Sequence, residues 1–232
     1  PEDWGSGNRI LRNYLSFSFS RAVYLVGRDA DHAVPSALPL VFDDERCLFN
    51  TGLYTRRYET IYALFEPNTR PDARQRWFLK GFFKESDPAL VAFEYLPCRV
   101  HFAEDPSQLV FDYRLPIRCN IDHILGDEEN LTRIPEALMG EENSLLLRRA
   151  FEGAVVEAAR RAAANYTLAV PQFYGGRIQL LLPLCLTGDK PELALAVQRE
   201  DGFYSARTCL TIEMAYNNAR LICRPETSWI KR

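Results

Sequence analysis

His123, in the segment RCNIDHIL, is one of three histidines in the chain, and histidine is the side chain best suited to exchange a proton near neutral pH. It follows Asn120 and Asp122 at the end of an expected strand. There it could serve as a general acid or base, with Asn120 as a neighbouring ligand-binding group; the alternative is a loop histidine that only hydrogen-bonds locally. Asp122 and His123 would point to opposite sides of an extended segment, so they are not expected to form a dyad. Glu213, in TCLTIEMAY, is the second catalytic candidate. A carboxylate on a strand inside a sheet needs a partner or a metal, and an arginine partner is favoured over a metal. No metal-ligand set is therefore assigned.

Other polar residues have types that suit ligand binding. Asn50, Thr51 and Gly52, in LFNTGLYT, break a strand with a glycine and could offer amides and a hydroxyl to an anion, with Arg56 and Arg57 adding positive charge; the alternative is an ordinary turn. Gln172 and Gln179 flank the Gly175-Gly176 turn. Amides on mostly apolar strands must find partners, either in the backbone or in a base edge, which amides read well. Tyr216, Asn217 and Arg220, in MAYNNARLI, could supply a stacking ring, an amide and a phosphate ligand, or Asn217 and Asn218 could simply form a turn.

Motifs that would name a reaction are missing. The sequence has no G-x-x-x-x-G-K-[ST], G-x-G-x-x-G, G-x-S-x-G or H-E-x-x-H, which argues against P-loop, Rossmann, hydrolase-elbow and zincin chemistry. The six cysteines are scattered without C-x-x-C or zinc-ligand spacing and read as free core thiols of a reducing, cytoplasmic compartment. No apolar run reaches the roughly 18 residues of a membrane helix. The net charge of −3 and pI of about 5.8 argue against a grip on long duplexes, which needs a basic surface. Lys80, Lys84, Lys190 and Lys231 are the only lysines. The arginine bias suits bidentate capture of phosphate or carboxylate, and a GC-rich genome would give it too.

These residues need a scaffold. With 232 residues, 47% of them hydrophobic, the chain can bury a core without staples. The pattern predicts one α+β domain over residues 1–232. A short helix is expected near Asn8 to Phe19, a loop near residues 29–39, and strands in RCLFN, TIYALF and RWFLKGFF. A helix over Ala89 to Tyr95 capped at Ser86, and a strand pair in RVHF and LVFDYRL, follow. A long amphipathic helix over about 144–165 has Leu147, Phe151, Ala154, Val155, Ala158 and Ala162 on one face. The C-terminal third reads as an antiparallel β-meander, with hairpin turns at Gly175-Gly176, Thr187 to Pro191, Asp201-Gly202 and Asn217-Asn218. IQLLLPLCL and ELALAV, apolar on both faces, are expected in its centre, and ARLIC as its last strand.

The blocks FNTGLYT, RCNIDHIL, AVPQFY, IQLLLPLCL and MAYNNARLI, from about Phe49 to Trp229, resemble a family of microbial and fungal domains of unknown function found joined to LOTUS (OST-HTH) winged-helix modules. The resemblance implies a link to RNA or nucleotide metabolism and no catalytic residue. A chain starting at Pro1 is then expected to be part of a longer one that carries a winged-helix module.

Two functions fit these observations. One is a nucleotide- or RNA-end-processing phosphoester or phosphoanhydride hydrolase, using magnesium or manganese if a metal is needed. His123 would then move the proton, Arg220 and Asn50 to Gly52 would hold phosphate, and Gln172, Gln179, Tyr216 and Asn217 would read the base. The other is a non-catalytic module that binds the same nucleotide or RNA end as a signal.

Overall fold

The computed structural model describes residues 2–29, 34 and 37–230. Most of the expected loop at residues 29–39 therefore lies outside the described residues. Both helices and antiparallel sheets are present, so the chain is α+β. Its backbone contacts cluster into two compact units, residues 4–101 and residues 102–232 with 1–3.

The unit of residues 4–101 is a four-stranded antiparallel sheet with a long helix on it. Helix α1 (Arg9–Asp29) extends well past Phe19, because Ile10, Tyr14, Ser18, Ala22 and Leu25 continue the buried stripe. It packs on β1 (Leu40–Phe42) and β2 (Cys47–Tyr54). The sheet continues through β3 (Thr60–Pro67) to β4 (Trp77–Lys84) in the order β1-β2-β3-β4. Phe19 of α1 meets Phe49 edge-on, with ring centroids 5.3 Å apart. On β2 and β3, Leu48, Tyr62 and Leu64 form a cluster with Leu90. Leu90 belongs to a single 3-10 turn, Pro88–Leu90, capped by the Asp87 side chain on the Ala89 amide. The longer helix expected to Tyr95 is absent, and the cap is Asp87 rather than Ser86.

The other unit is built on a five-stranded sheet in the order β5-β9-β8-β7-β6. Its strands are β5 (Ile117–Cys119), β6 (Val170–Tyr174), β7 (Arg177–Leu184), β8 (Leu193–Arg199) and β9 (Tyr204–Thr211). β6 to β9 form the antiparallel meander, and β5 adds in parallel to β9. Between β5 and β6 come α2 (Ile121–Gly126), α3 (Glu128–Leu131) and α4 (Ser144–Ala164). α4 matches the expected long helix, with all six of the named apolar residues buried, and packs on β7. The first hairpin turns at Gly175 and Gly176, both with positive φ (57° and 80°), the geometry of a tight two-residue connection.

Two expectations fail in this unit. RVHF and LVFDYRL do not pair; most of that stretch is irregular, with a 3-10 turn at Pro106–Leu109 and the only strand at β5. Ile212–Ala219 is a helix, α5, rather than the end of a strand. The Thr211 hydroxyl accepts from the Met214 amide at 3.2 Å, an N-cap that ends the strand register. Asn217 and Asn218 are thus helical, and no strand follows in ARLIC.

Candidate functional site

The sheet of the second unit has a polar row near the turn ends of its hairpins. Gln172 stands opposite Gln179 and Gln198 opposite Ser205. The pairing of Leu180 with Val197 carries the register on to put Gln179 beside Gln198. Directly opposite residues share a face, so amide, amide, amide and hydroxyl run across four strands. The row opens into a concavity of about 330 Å³ lined by Arg177, Gln179, Ala196, Gln198, Glu200, Ser205, Arg207 and Thr208.

Hydrogen bonds fix the orientation of these groups. Asn218, on α5, donates from Nδ2 to Gln172 Oε1 at 3.1 Å, and Gln172 donates from Nε2 to Gln179 Oε1 at 2.8 Å. Gln172 is only 2% exposed, so this relay holds Gln179 from behind and leaves its NH₂ to donate elsewhere. On the next strands, Glu200 Oε1 accepts from Gln198 Nε2 at 3.1 Å and from Ser205 Oγ at 3.0 Å. The Gln198 carbonyl oxygen stays available as an acceptor. Thr208 is tied by its hydroxyl to Asn130 Oδ1 at 2.9 Å, and Asn130 also accepts from Arg133 Nη1 at 3.0 Å. That buried knot pins the far side of the concavity. Arg177 and Arg207 are exposed, and no ion pair ties either to an acid among the described residues.

The expected residues are placed as follows. Gln179 lines the concavity and Gln172 supports it from the core. Tyr216 and Arg220 converge instead on Glu2: the Tyr216 hydroxyl donates to Glu2 Oε1 at 3.1 Å, and the Arg220 guanidinium bonds both carboxylate oxygens. Arg220 is 5% exposed, so it is a buried structural cation. Burial, with the Glu2 charge beside it, pushes the Tyr216 phenol up to about 12. Glu213 lies in the first turn of α5, where a carboxylate complements the helix dipole, and Asn217 is on the same helix.

Asn120 caps α2, accepting from the His123 amide at 3.2 Å. His123 is therefore helical and exposed, and its imidazole hydrogen-bonds to none of the described residues. Asp122 pairs with Arg148. Asn50, Thr51 and Gly52 lie in the other unit, at an irregularity in β2. Their groups are used internally: Asn50 donates to Pro97 O at 2.8 Å and accepts from the Gly52 amide at 2.9 Å, and the Thr51 hydroxyl donates to Ile61 O. Among the described residues no group of three or more His, Cys, Asp or Glu is placed to hold a metal ion.

Sequence reading missed Arg177, Gln198, Glu200, Ser205 and Arg207. The signal was there: polar residues recur every second position beside the two glycine turns, at 177 and 179, 198 and 200, and 205 and 207, the period of one strand face.

Residues 1–229 match the model of the family described as a domain of unknown function, DUF3825. The chain belongs to that family. No curated protein and no solved structure matches it. All six cysteines of this DUF3825 domain are free, and no described helix is long and apolar enough to cross a membrane.

Proposed function

We propose that this DUF3825 domain binds a phosphate-bearing ribonucleotide or the end of a single RNA strand in the concavity on its second sheet. The observation that carries the reading is the pair of exposed guanidiniums, Arg177 and Arg207, on either side of an ordered amide row. Arginine forks match phosphate oxygens in bidentate fashion. The free Gln179 NH₂ and Gln198 carbonyl present a donor and an acceptor on adjacent strands, the pairing that a base edge requires. Glu200, already oriented by Gln198 and Ser205, can accept from a ribose hydroxyl, the group that separates RNA from DNA. A protein of net charge −3 can do this locally without holding a long duplex.

A linked winged-helix module of the LOTUS kind, in a cytoplasmic protein, would give such a domain its RNA, as the resemblance of the sequence blocks implies. Hydrolysis is the second reading, because Glu200 shares the concavity with both arginines and could take a proton from an attacking water, with or without magnesium or manganese. The test is a thermal-shift screen of mononucleotides, ADP-ribose-type compounds and short RNA ends, with and without divalent metal. A ligand at a hundred times its dissociation constant stabilises a fold by about 2.7 kcal/mol. Product analysis on any hit then separates binding from turnover.

A further inference from the structure

The polar face of the second sheet extends past the concavity. Residues paired across neighbouring strands lie on one face of a sheet. β5 pairs Arg118 with Ser205 of β9, so an arginine carries the amide row on by one strand. Two residues nearer the hairpin turns, a second row crosses the same face. It starts at Tyr174, directly opposite Arg177, and the register of β7 on β8 continues it to Glu200. The Glu200 amide donates to the Phe203 carbonyl at 2.8 Å, which brings the row to Phe203.

Each end of this second row carries an aromatic ring. At one end the Arg118 guanidinium packs over the Phe203 ring, 4.1 Å from its centroid. Arg118 is exposed, and among the described residues it has no ion pair. A guanidinium seated on a ring and free of an acid is a platform for a flat base. At the other end Tyr174 is 66% exposed, and its hydroxyl bonds none of the described residues.

We infer that the ligand is a single RNA strand of three or more nucleotides, laid across the sheet with one base on Tyr174 and another on the Arg118–Phe203 pair. This rests on the reading of the concavity as a ribonucleotide site and names the class of ligand it takes. β6 and β9 are three strand spacings apart, about 14 Å. One base cannot lie on both platforms, and two bases stacked on each other are only about 3.4 Å apart. A strand with splayed bases covers the distance in two backbone steps of about 7 Å each, and proteins hold single strands by stacking such bases on aromatic and guanidinium planes. The middle base then falls over β7 and β8, where the Gln179 NH₂ and the Gln198 carbonyl meet its edge. A duplex keeps its bases stacked inward and could use neither platform. Charge agrees: Arg118, Arg177 and Arg207 share this face, and Glu200 is the one acid in its two rows.

Isothermal titration of 5′-phosphorylated oligoadenylates and oligouridylates of one to five nucleotides into the whole chain tests this. Each added stacked base is expected to strengthen binding about tenfold, so affinity should rise about a hundredfold from the mononucleotide to the trinucleotide and then level off. Tyr174→Ala should weaken trinucleotide binding about tenfold, whereas Tyr174→Phe, which keeps the ring, should restore it. Arg118→Lys keeps the charge without the planar fork and should also lose about tenfold, with circular dichroism showing all three variants folded. A mononucleotide bound as tightly as the trinucleotide overturns the inference and leaves the concavity a mononucleotide site. So does trinucleotide affinity indifferent to both Tyr174→Ala and Arg118→Lys. No binding at any length overturns the inference together with the reading on which it rests.

Discussion

Gln172 Nε2 donates to Gln179 Oε1 at 2.8 Å, joining two side chains that lie directly opposite each other on β6 and β7. The bond sets which end of Gln179 faces the concavity, and Asn218 on α5 in turn sets Gln172. The last helix of the chain thereby fixes the hydrogen-bonding character of a group on the sheet.

The first prediction concerns that relay. Gln172→Leu keeps the volume but leaves Asn218 and Gln179 each short of a partner. An unsatisfied buried group costs about 1–3 kcal/mol, so the denaturant midpoint should fall accordingly. Ligand affinity should also fall although residue 172 does not line the concavity. Asn218→Ala should lower affinity with a smaller stability loss.

The buried Glu2–Arg220 pair gives a second prediction. Both side chains are about a tenth exposed or less, and removing one partner of a buried pair costs about 3–5 kcal/mol. Arg220→Met should approach that figure in equilibrium unfolding. If Arg220 were instead an available phosphate ligand, the substitution would leave stability nearly unchanged and abolish binding.

Alkali should destabilise the fold in two overlapping steps. Burial raises the thiols of Cys47, Cys119 and Cys209 to about 11 from an ordinary 9, and burial raises the Tyr216 phenol to about 12 from 10. A raised folded-state value means that the unfolded chain loses its proton first. Stability is therefore complete below about pH 9 and is lost as pH climbs through about 11 and then 12. Unfolding free energies measured from pH 8 to 12 should fall steadily. At neutral pH the same thiols should resist alkylation while exposed Cys223 reacts, as mass spectrometry would show.

Gly52 supplies a fourth test. Its φ is +67°, and a Cβ would come within 2.5 Å of the Tyr14 hydroxyl, which donates to Thr51 O at 2.8 Å. Gly52→Ala should destabilise the protein by more than about 1 kcal/mol. Loss of stability here with ligand binding intact would mark the Asn50 to Gly52 break as structural.

Much of the scaffold was legible because it depends on periodicity. The apolar stripe of α4 and the hairpin strands around Gly175-Gly176 follow from local pattern alone. α5 was not legible: Leu210, Ile212 and Met214 alternate as a strand would, and the choice was made by the Thr211 cap and by burial of Ala215, Tyr216 and Ala219. RVHF read as a strand because β-propensity reflects neighbours as much as residues, and among the described residues no strand pairs with it. The site was half legible. Gln172 and Gln179 stood out as amides on apolar strands, but Arg177 and Arg207 looked like ordinary surface charges until strand order brought them to one concavity.

The most direct test of the proposed site is titration of a short single-stranded oligoribonucleotide with a terminal phosphate into the wild type and Arg177→Glu/Arg207→Glu, across a salt series. Each guanidinium–phosphate contact is worth about 1.5–3 kcal/mol, so the double reversal should weaken binding by at least about a hundredfold. With two phosphates neutralised, log affinity against log salt for the wild type should slope at about −1.4, and Arg207→Gln should flatten it by about 0.7. Wild-type binding that is equally tight in the double reversal, or no binding of any phosphate-bearing ribonucleotide, would contradict the assignment of the concavity.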